Sequence, residues 1–185
     1  MDILVITGTP GTGKSTLARK LEKRINDSIA IDINKIICKK RLYSGKDEFG
    51  TKIVRMHDLE REINRIIQKN KGKKFIILEG HLLCDIKVRN AKVIVLREHL
   101  AILLKRMYAR KYPREKIKDN IISEAIDYCG ENARFNYKRV VEIMSGKNSY
   151  SKALAIINGK RTKTKNIDIL KELLLVGKKN PYLIR

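Results

Sequence analysis

No apolar run in the chain is long enough to cross a membrane, and Met1 opens almost directly onto a strand. The expectation is a soluble, cytoplasmic protein without a secretory leader. Cysteine is scarce. Cys38, Cys84 and Cys129 stand far apart with no CxxC spacing, so neither a zinc site nor a disulfide framework is suggested. They read as reduced thiols, packed rather than reactive. No internal repeat and no flexible interdomain linker is present. Acidic residues are the other shortage: 20 acids face 42 Lys and Arg, a net charge of +22. Such a surface attracts polyanions without sequence preference, and salt weakens that attraction. An AT-rich genome, which enriches Lys and Ile, is the alternative source of the same excess. Thermophilic surfaces usually balance Lys with Glu, and this one does not.

What is present suits one α/β domain. The 185 residues are 43% hydrophobic, enough to fill a sizeable core. Ile3 to Ile6 reads as a first strand, followed by a helix over Lys14 to Ile25 with Leu17, Ala18, Leu21 and Ile25 on one face. Ser28 to Ile31 reads as a short strand, Ile33 to Leu42 as a helix, Tyr43 to Lys52 as a loop and Met56 to Lys69 as a helix. Phe75 to Leu78 and Val93 to Leu96 are continuous apolar runs, the pattern of central strands covered on both faces in a mostly parallel sheet. A helix ending near Arg110 precedes one that has Pro113 in its first turn and carries Ile117, Ile121, Ile122 and Ile126. Val140 to Met144 reads as a last strand, before helical segments near Tyr150 to Ile157 and Ile167 to Val176.

The segment Gly8 to Thr16, GTPGTGKST, fills every slot of the phosphate-binding P-loop pattern and follows the first strand directly. A strand feeding a glycine-rich turn that opens a helix presents backbone N–H groups, and the positive end of a helix dipole, to a polyphosphate. Gly8, Gly11 and Gly13 let the backbone turn tightly and come close to the phosphates. Lys14 is expected to reach the β- and γ-phosphate oxygens of ATP, and the Ser15 hydroxyl to ligate Mg²⁺.

Two further segments carry chemistry. Leu78-Glu79-Gly80-His81 places an acid where a central strand ends, a position from which Glu79 can orient Mg²⁺ or its waters. His81 either orients a water or acceptor phosphate or is a surface or capping histidine. Arg106 and Arg110 stand four apart on one helix face, where guanidinium groups suit the charge of a transferring phosphoryl. A solvated basic face is the alternative reading of that pair.

Together these pieces resemble the adenylate kinase isoenzyme 6 group, the CINAP-type adenylate kinases, which in archaea are broad-specificity nucleoside monophosphate kinases. The resemblance rests on GTPGTGKST, Leu42 to Glu48, Glu79-Gly80-His81, Val95-Leu96-Arg97, Arg110-Lys111-Tyr112 and Lys116 to Asn120, spread in family order over residues 1 to 145. It implies a three-layer P-loop NTPase fold with five parallel strands in the order 2-3-1-4-5. Residues 1–159 would form the kinase domain, with an acceptor-binding region over 31–54 and a short lid over 109–119. Gly11, Gly13, Lys14, Ser15 and Thr16 would hold the ATP phosphates, with Arg110 as the lid arginine. Ser15 and Glu79 would hold Mg²⁺, and His81 would support catalysis. The implied reaction is ATP γ-phosphate transfer to a nucleoside monophosphate, AMP first. The implied additions are ATPase activity and a role in small ribosomal subunit maturation, with a small-subunit ribosomal protein and rRNA as partners. An ATP-switched RNA- or ribosome-binding assembly factor is the competing function.

The chain departs from the family in four places. Glu79 stands where eukaryotic members carry Asp, and Cys38 where related kinases often have an acceptor-helix Arg. The lid reads Arg110-Lys111-Tyr112 instead of Arg-Gly-Tyr, so a flexible glycine is lost. Residues 160–185 match nothing in the family and form a basic C-terminal extension. From Gly130 onward there are 13 basic and 4 acidic residues, which makes this end the candidate RNA or ribosome contact.

Overall fold

The computed structural model describes residues 1–48, 50–160 and 169–183. Five parallel strands form the central sheet: β1 (Asp2–Thr7), β2 (Ser28–Asp32), β5 (Phe75–Glu79), β6 (Ala91–Arg97) and β7 (Val140–Met144), in the order β2-β5-β1-β6-β7. Counted among themselves they run 2-3-1-4-5. The numbering differs because a small antiparallel hairpin, β3 (Tyr43–Lys46) and β4 (Lys52–Val54), intervenes where the sequence reads as a loop. Arg55 fixes the base of that hairpin. Its guanidinium donates to the carbonyls of Tyr43 at 2.7 Å and Arg41 at 3.2 Å, and to Asp58 at 2.6 Å.

The continuous apolar strands are sorted by the pleat. Ile3, Val5, Ile76, Leu78, Val93 and Val95 face one layer, which holds α2 (Ile33–Lys40), α3 (Met56–Lys69) and α6 (Tyr128–Asn136). Leu4, Ile6, Ile77, Ile94 and Leu96 face the other, which holds α1 (Lys14–Glu22) and α7 (Ser149–Ile157). Both faces are covered, as a parallel sheet requires. A third cluster joins α4 (Leu100–Ala109), α5 (Arg114–Ala125) and α8 (Leu170–Lys179). Pro113 caps α5 one residue ahead of its expected place in the first turn, and Ile126 closes that helix as its C-cap.

Two further features go beyond the sequence reading. Helix α6 was not expected, and it buries only Cys129, Gly130 and Ala133, residues too small to show a periodic apolar stripe. The C-terminal residues pack onto the domain: Ile169, Val176 and Leu183 are buried with α4 and α5. Glu172 accepts from the His99 ring nitrogen Nδ1 at 2.6 Å and from the backbone N–H of Leu100 at 2.9 Å, satisfying the N-terminus of α4. Of the basic run 160–165, only Lys160 falls within the described residues. Among those residues, no helix is long and apolar enough to cross a membrane.

Candidate active site

The loop after β1 is built by its glycines. Gly8 takes φ +135°, and a methyl group there would drive into the backbone carbonyl of Leu96 on the neighbouring strand. Gly13 caps α1 in the left-handed region at φ +100°. The backbone thus turns straight into the α1 N-terminus, where free N–H groups and the helix dipole favour an anion. Lys14 folds back under the loop, its ammonium donating to the carbonyls of Gly8 at 2.8 Å and Thr9 at 3.0 Å. Burial lowers its pKa, while the negative groups around it, Glu79 among them, oppose that shift. The buried hydroxyl of Thr9 has no hydrogen-bond partner among the described residues.

Three cavities open around this loop. One, of ≈340 Å³, is lined by Gly11, Gly13, Thr16, Arg106, Arg110 and Gly146 among others. A second, of ≈220 Å³, is lined by Lys14, Ser15, Glu79, His81, Arg110 and Tyr112. Gly11, Gly13 and Arg110 border both, so the two form halves of one cleft. A third, of ≈350 Å³, continues past Ser15 and Glu79 to Arg19, Asp32 and Lys35.

Gly11, Gly13, Lys14, Ser15, Thr16, Glu79, His81, Arg106 and Arg110 all line this cleft, whereas Gly8 and Cys38 do not. Glu79 ends β5 in register with Asp32 at the end of β2. Burial raises its pKa, and Asp32 adds to that, against a hydrogen bond from the Ser15 hydroxyl and the charge of Lys14. Ser15 and Glu79 therefore juxtapose a hydroxyl and a carboxylate, hard oxygen donors that fit Mg²⁺. Among the described residues no cluster of three or more His, Cys, Asp or Glu could cage a metal alone. A hard ion here would complete its shell with phosphate oxygens and waters. His81 is held neutral: burial, then Lys14 and Lys116, lower its pKa to about 4.

The two arginines differ. Arg106 is committed, donating to the Gly11 carbonyl at 2.8 Å and pairing at 2.7 Å with Glu98, which is only 2% exposed. Among the described residues Arg110 closes α4 without such an anchor, and it faces both halves of the cleft. The next residue, Lys111, adopts φ +55°, so the left-handed turn that glycine favours after a helix is here made by lysine. Cys38, on α2, is exposed and accepts from the Lys52 ammonium at 2.8 Å.

Sequence reasoning missed Glu98, Arg19 and Asn34, which also bear on the cleft. It missed as well the ion cluster behind them. Arg97, 2% exposed, donates from Nε to Glu124 at 3.0 Å and also pairs with Asp127 and Glu142, and Arg134 joins the same two acids. Glu124 additionally accepts from the backbone N–H of Glu98 at 2.9 Å, tying α5 to the exit of β6. The signal was two adjacent charged residues at the end of an apolar strand, which reads as an ordinary solvent flank.

Known proteins resemble this chain in sequence and in fold. A family described as AAA domain matches residues 4–127. A Methanosarcina barkeri protein named "Putative adenylate kinase" is 35% identical over 144 residues, 76% of this chain and 75% of its own length. One of the same name from Methanocaldococcus jannaschii is 35% identical over 127 residues, 68% of each chain. Shikimate kinase from Bacteroides thetaiotaomicron shares the fold, with a TM-score of 0.56 at 15% identity over 85% of this chain and 98% of that one.

Proposed function

The chain belongs to the AAA domain family and to the family of those archaeal relatives, and we propose that it is a nucleoside monophosphate kinase of the adenylate kinase type. It would transfer the ATP γ-phosphate to AMP or a related monophosphate in the cytoplasm, with some ATP hydrolysis when water takes the acceptor's place. The observation that carries this reading is the divided cleft. One half lies between Arg106, Thr16 and Gly146, room for a nucleoside donor, and the other presents Lys14, Glu79, His81 and Arg110 to an acceptor.

The chemistry follows from positioning and charge rather than covalent catalysis. The loop N–H groups from Gly11 to Thr16 cradle the phosphate chain. Lys14, whose low pKa reflects burial, needs only to leave two loop carbonyls to meet the γ-phosphate. Ser15 and Glu79 would hold Mg²⁺, which when bound neutralises charge on the β- and γ-oxygens. Arg110, free of the anchor that holds Arg106, is the guanidinium placed to follow the phosphoryl group across the cleft. Neutral His81 can orient an acceptor oxygen or a water without adding charge beside Lys14.

Screening NMPs, water and small alcohols as acceptors tests the assignment, because acceptor pockets vary on this scaffold. ADP formation from ATP and AMP, lost in Lys14→Ala with the fold kept, is the expected result. Unchanged turnover in that variant would remove the proposal. A second reading, an ATP-switched factor binding pre-ribosomal RNA or a small-subunit ribosomal protein, is favoured by the +22 charge. It predicts hydrolysis that responds to RNA and little monophosphate turnover.

A further inference from the structure

The nucleotide cleft occupies the C-terminal edge of the sheet. At the opposite edge, two connections stand side by side because the strands they enter, β6 and β7, are hydrogen-bonded neighbours from Val93↔Val140 onward. They frame a cavity of ≈520 Å³ that is lined by Lys87, Arg89, Lys138 and Arg139, all exposed, and by no acidic residue. Its floor is firm. Val88 and Tyr137 are buried, and the Tyr137 hydroxyl donates to the Leu83 carbonyl at 2.8 Å.

Some of this chain's cations find acids: Arg55 and Arg61 share Asp58, Lys40 and Arg65 share Glu62, and Arg97 and Arg134 share Asp127 and Glu142. The four cations of this cavity pair with no acid among the described residues. Lys92, at the base, is already occupied by Asp2 at 3.4 Å and the Ile157 carbonyl at 2.8 Å. Gathering four unpaired positive charges around a concavity costs self-repulsion that a bound polyanion removes. Beside them, Phe135 at the end of α6 is 90% exposed, a large aromatic face left in water immediately before the cavity-lining Asn136.

A positive groove with an exposed aromatic one residue from its lining is a combination that can hold single-stranded nucleic acid: cations track the backbone while bases stack on the ring. An acidic peptide would use the charges but has no need of the ring. We propose that the cavity between the β6 and β7 entry loops is a groove for single-stranded nucleic acid, with Lys87, Arg89, Lys138 and Arg139 on the phosphates and Phe135 stacking a base. The groove lies at the far end of the strands from the phosphate loop and does not depend on the kinase reading. A negative acceptor screen leaves it standing, and its own failure leaves the kinase standing.

The test uses the full chain and fluorescence anisotropy of a fluorescein-labelled oligouridine RNA, titrated between 50 and 200 mM KCl. Replacing the four cations with Ala should weaken binding and flatten the slope of log affinity against log salt by about 3, since each phosphate contact on a single strand contributes about 0.7. Phe135→Ala should leave that slope unchanged and lower affinity by roughly 5- to 160-fold, the worth of one stacked base. Because Phe135 is almost fully exposed, that variant keeps its fold, checked by circular dichroism. A matched control, Lys23, Arg24, Lys69 and Lys71 to Ala, removes the same charge from exposed positions outside the cavity. If the control loses as much affinity and slope as the cavity variant, the charge acts diffusely and the proposal falls. It also falls if Phe135→Ala binds like the parent, or if polyglutamate displaces the RNA at equal charge concentration.

Discussion

Replacing Arg106 and Glu98 one at a time and together tests the least expected feature of the cleft. The pair is asymmetric: Glu98 is 2% exposed, whereas the Arg106 side chain is 39% exposed. Arg106→Gln leaves a buried carboxylate with no cation, and breaking buried pairs this way costs about 3–5 kcal/mol. Solvent reaches the guanidinium, so the lower end, about 3 kcal/mol, is the expected loss. Glu98→Gln leaves a guanidinium that water can solvate, and the amide oxygen can still accept from it, so about 1 kcal/mol is expected. The double variant should lose no more than Arg106→Gln alone, a coupling of about 1 kcal/mol, inside the range for contacting residues.

Urea denaturation with a shared m-value measures all three losses. Affinity for a fluorescent ATP analogue should move in parallel, because the same Arg106 nitrogen that meets Glu98 also holds the Gly11 carbonyl of the phosphate loop. Three results would refute the reasoning. They are a larger loss for Glu98→Gln than for Arg106→Gln, additive losses in the double variant, or losses within about 0.5 kcal/mol, as for an ordinary surface change.

Two other outcomes follow from the structure. Lys111 carries φ +55°, so Lys111→Gly should raise stability by about 0.5–1 kcal/mol if relief of left-handed strain outweighs the added chain entropy; a thermal melt showing a loss would refute this. His81 has a folded pKa of about 4, below its unfolded value of about 6.5, so between those values the unfolded chain binds the extra proton. Stability contributed by neutral His81 is therefore complete above that window and is lost as pH falls through it, by at most about 1.4 kcal/mol per unit. Glu79, whose pKa is raised, contributes the opposite slope, so the measurement is the difference between parent and His81→Asn melts across pH 4 to 6.5. An unchanged slope in His81→Asn would place the histidine in water.

The parts of the fold visible in the sequence were those whose physics is local. Phe75 to Leu78 and Val93 to Leu96 had to be apolar on both sides because helices cover both faces of the sheet, and that continuity needs no knowledge of a partner. The phosphate loop was legible for the same reason: its glycines, lysine and serine act within nine consecutive residues. Tyr43 to Lys46 was read as loop because Ser44-Gly45-Lys46-Asp47 carries turn residues. Its strand character comes from β4 across the turn and from Arg55, which holds Arg41 and Tyr43 by their carbonyls. Helix α6 was hidden by Cys129, Gly130 and Ala133, whose small size lets it lie close to the turn at His81–Asp85 but erases the apolar stripe.

Arg97 and Glu98 mark where sequence reasoning stops for a physical reason. Two charged residues after Val-Ile-Val-Leu look like a strand meeting water, yet both are 2% exposed. Burying adjacent opposite charges is tolerable only if each finds its partner elsewhere, and here they do so in opposite directions. Arg97 turns to Glu124, Asp127 and Glu142 of α5, the following turn and β7, while Glu98 turns to Arg106 of α4. Arg97's partners lie 27 to 45 residues away, outside any local window, and Glu98's lies eight residues on, beyond the three- or four-residue spacing that pairs side chains along a helix. The consequence is functional as well as structural. Glu98 holds Arg106 against the loop and Glu124 holds the backbone of Glu98, so the Arg106 wall of the cleft is tied through to α5. In a kinase of the proposed type, closure of the cleft would then fall to Arg110 and the left-handed turn at Lys111. A Glu98→Gln variant that loosens Arg106 should therefore weaken nucleotide binding without altering which acceptor is used. A changed acceptor preference in that variant would mean the wall reaches the acceptor half after all.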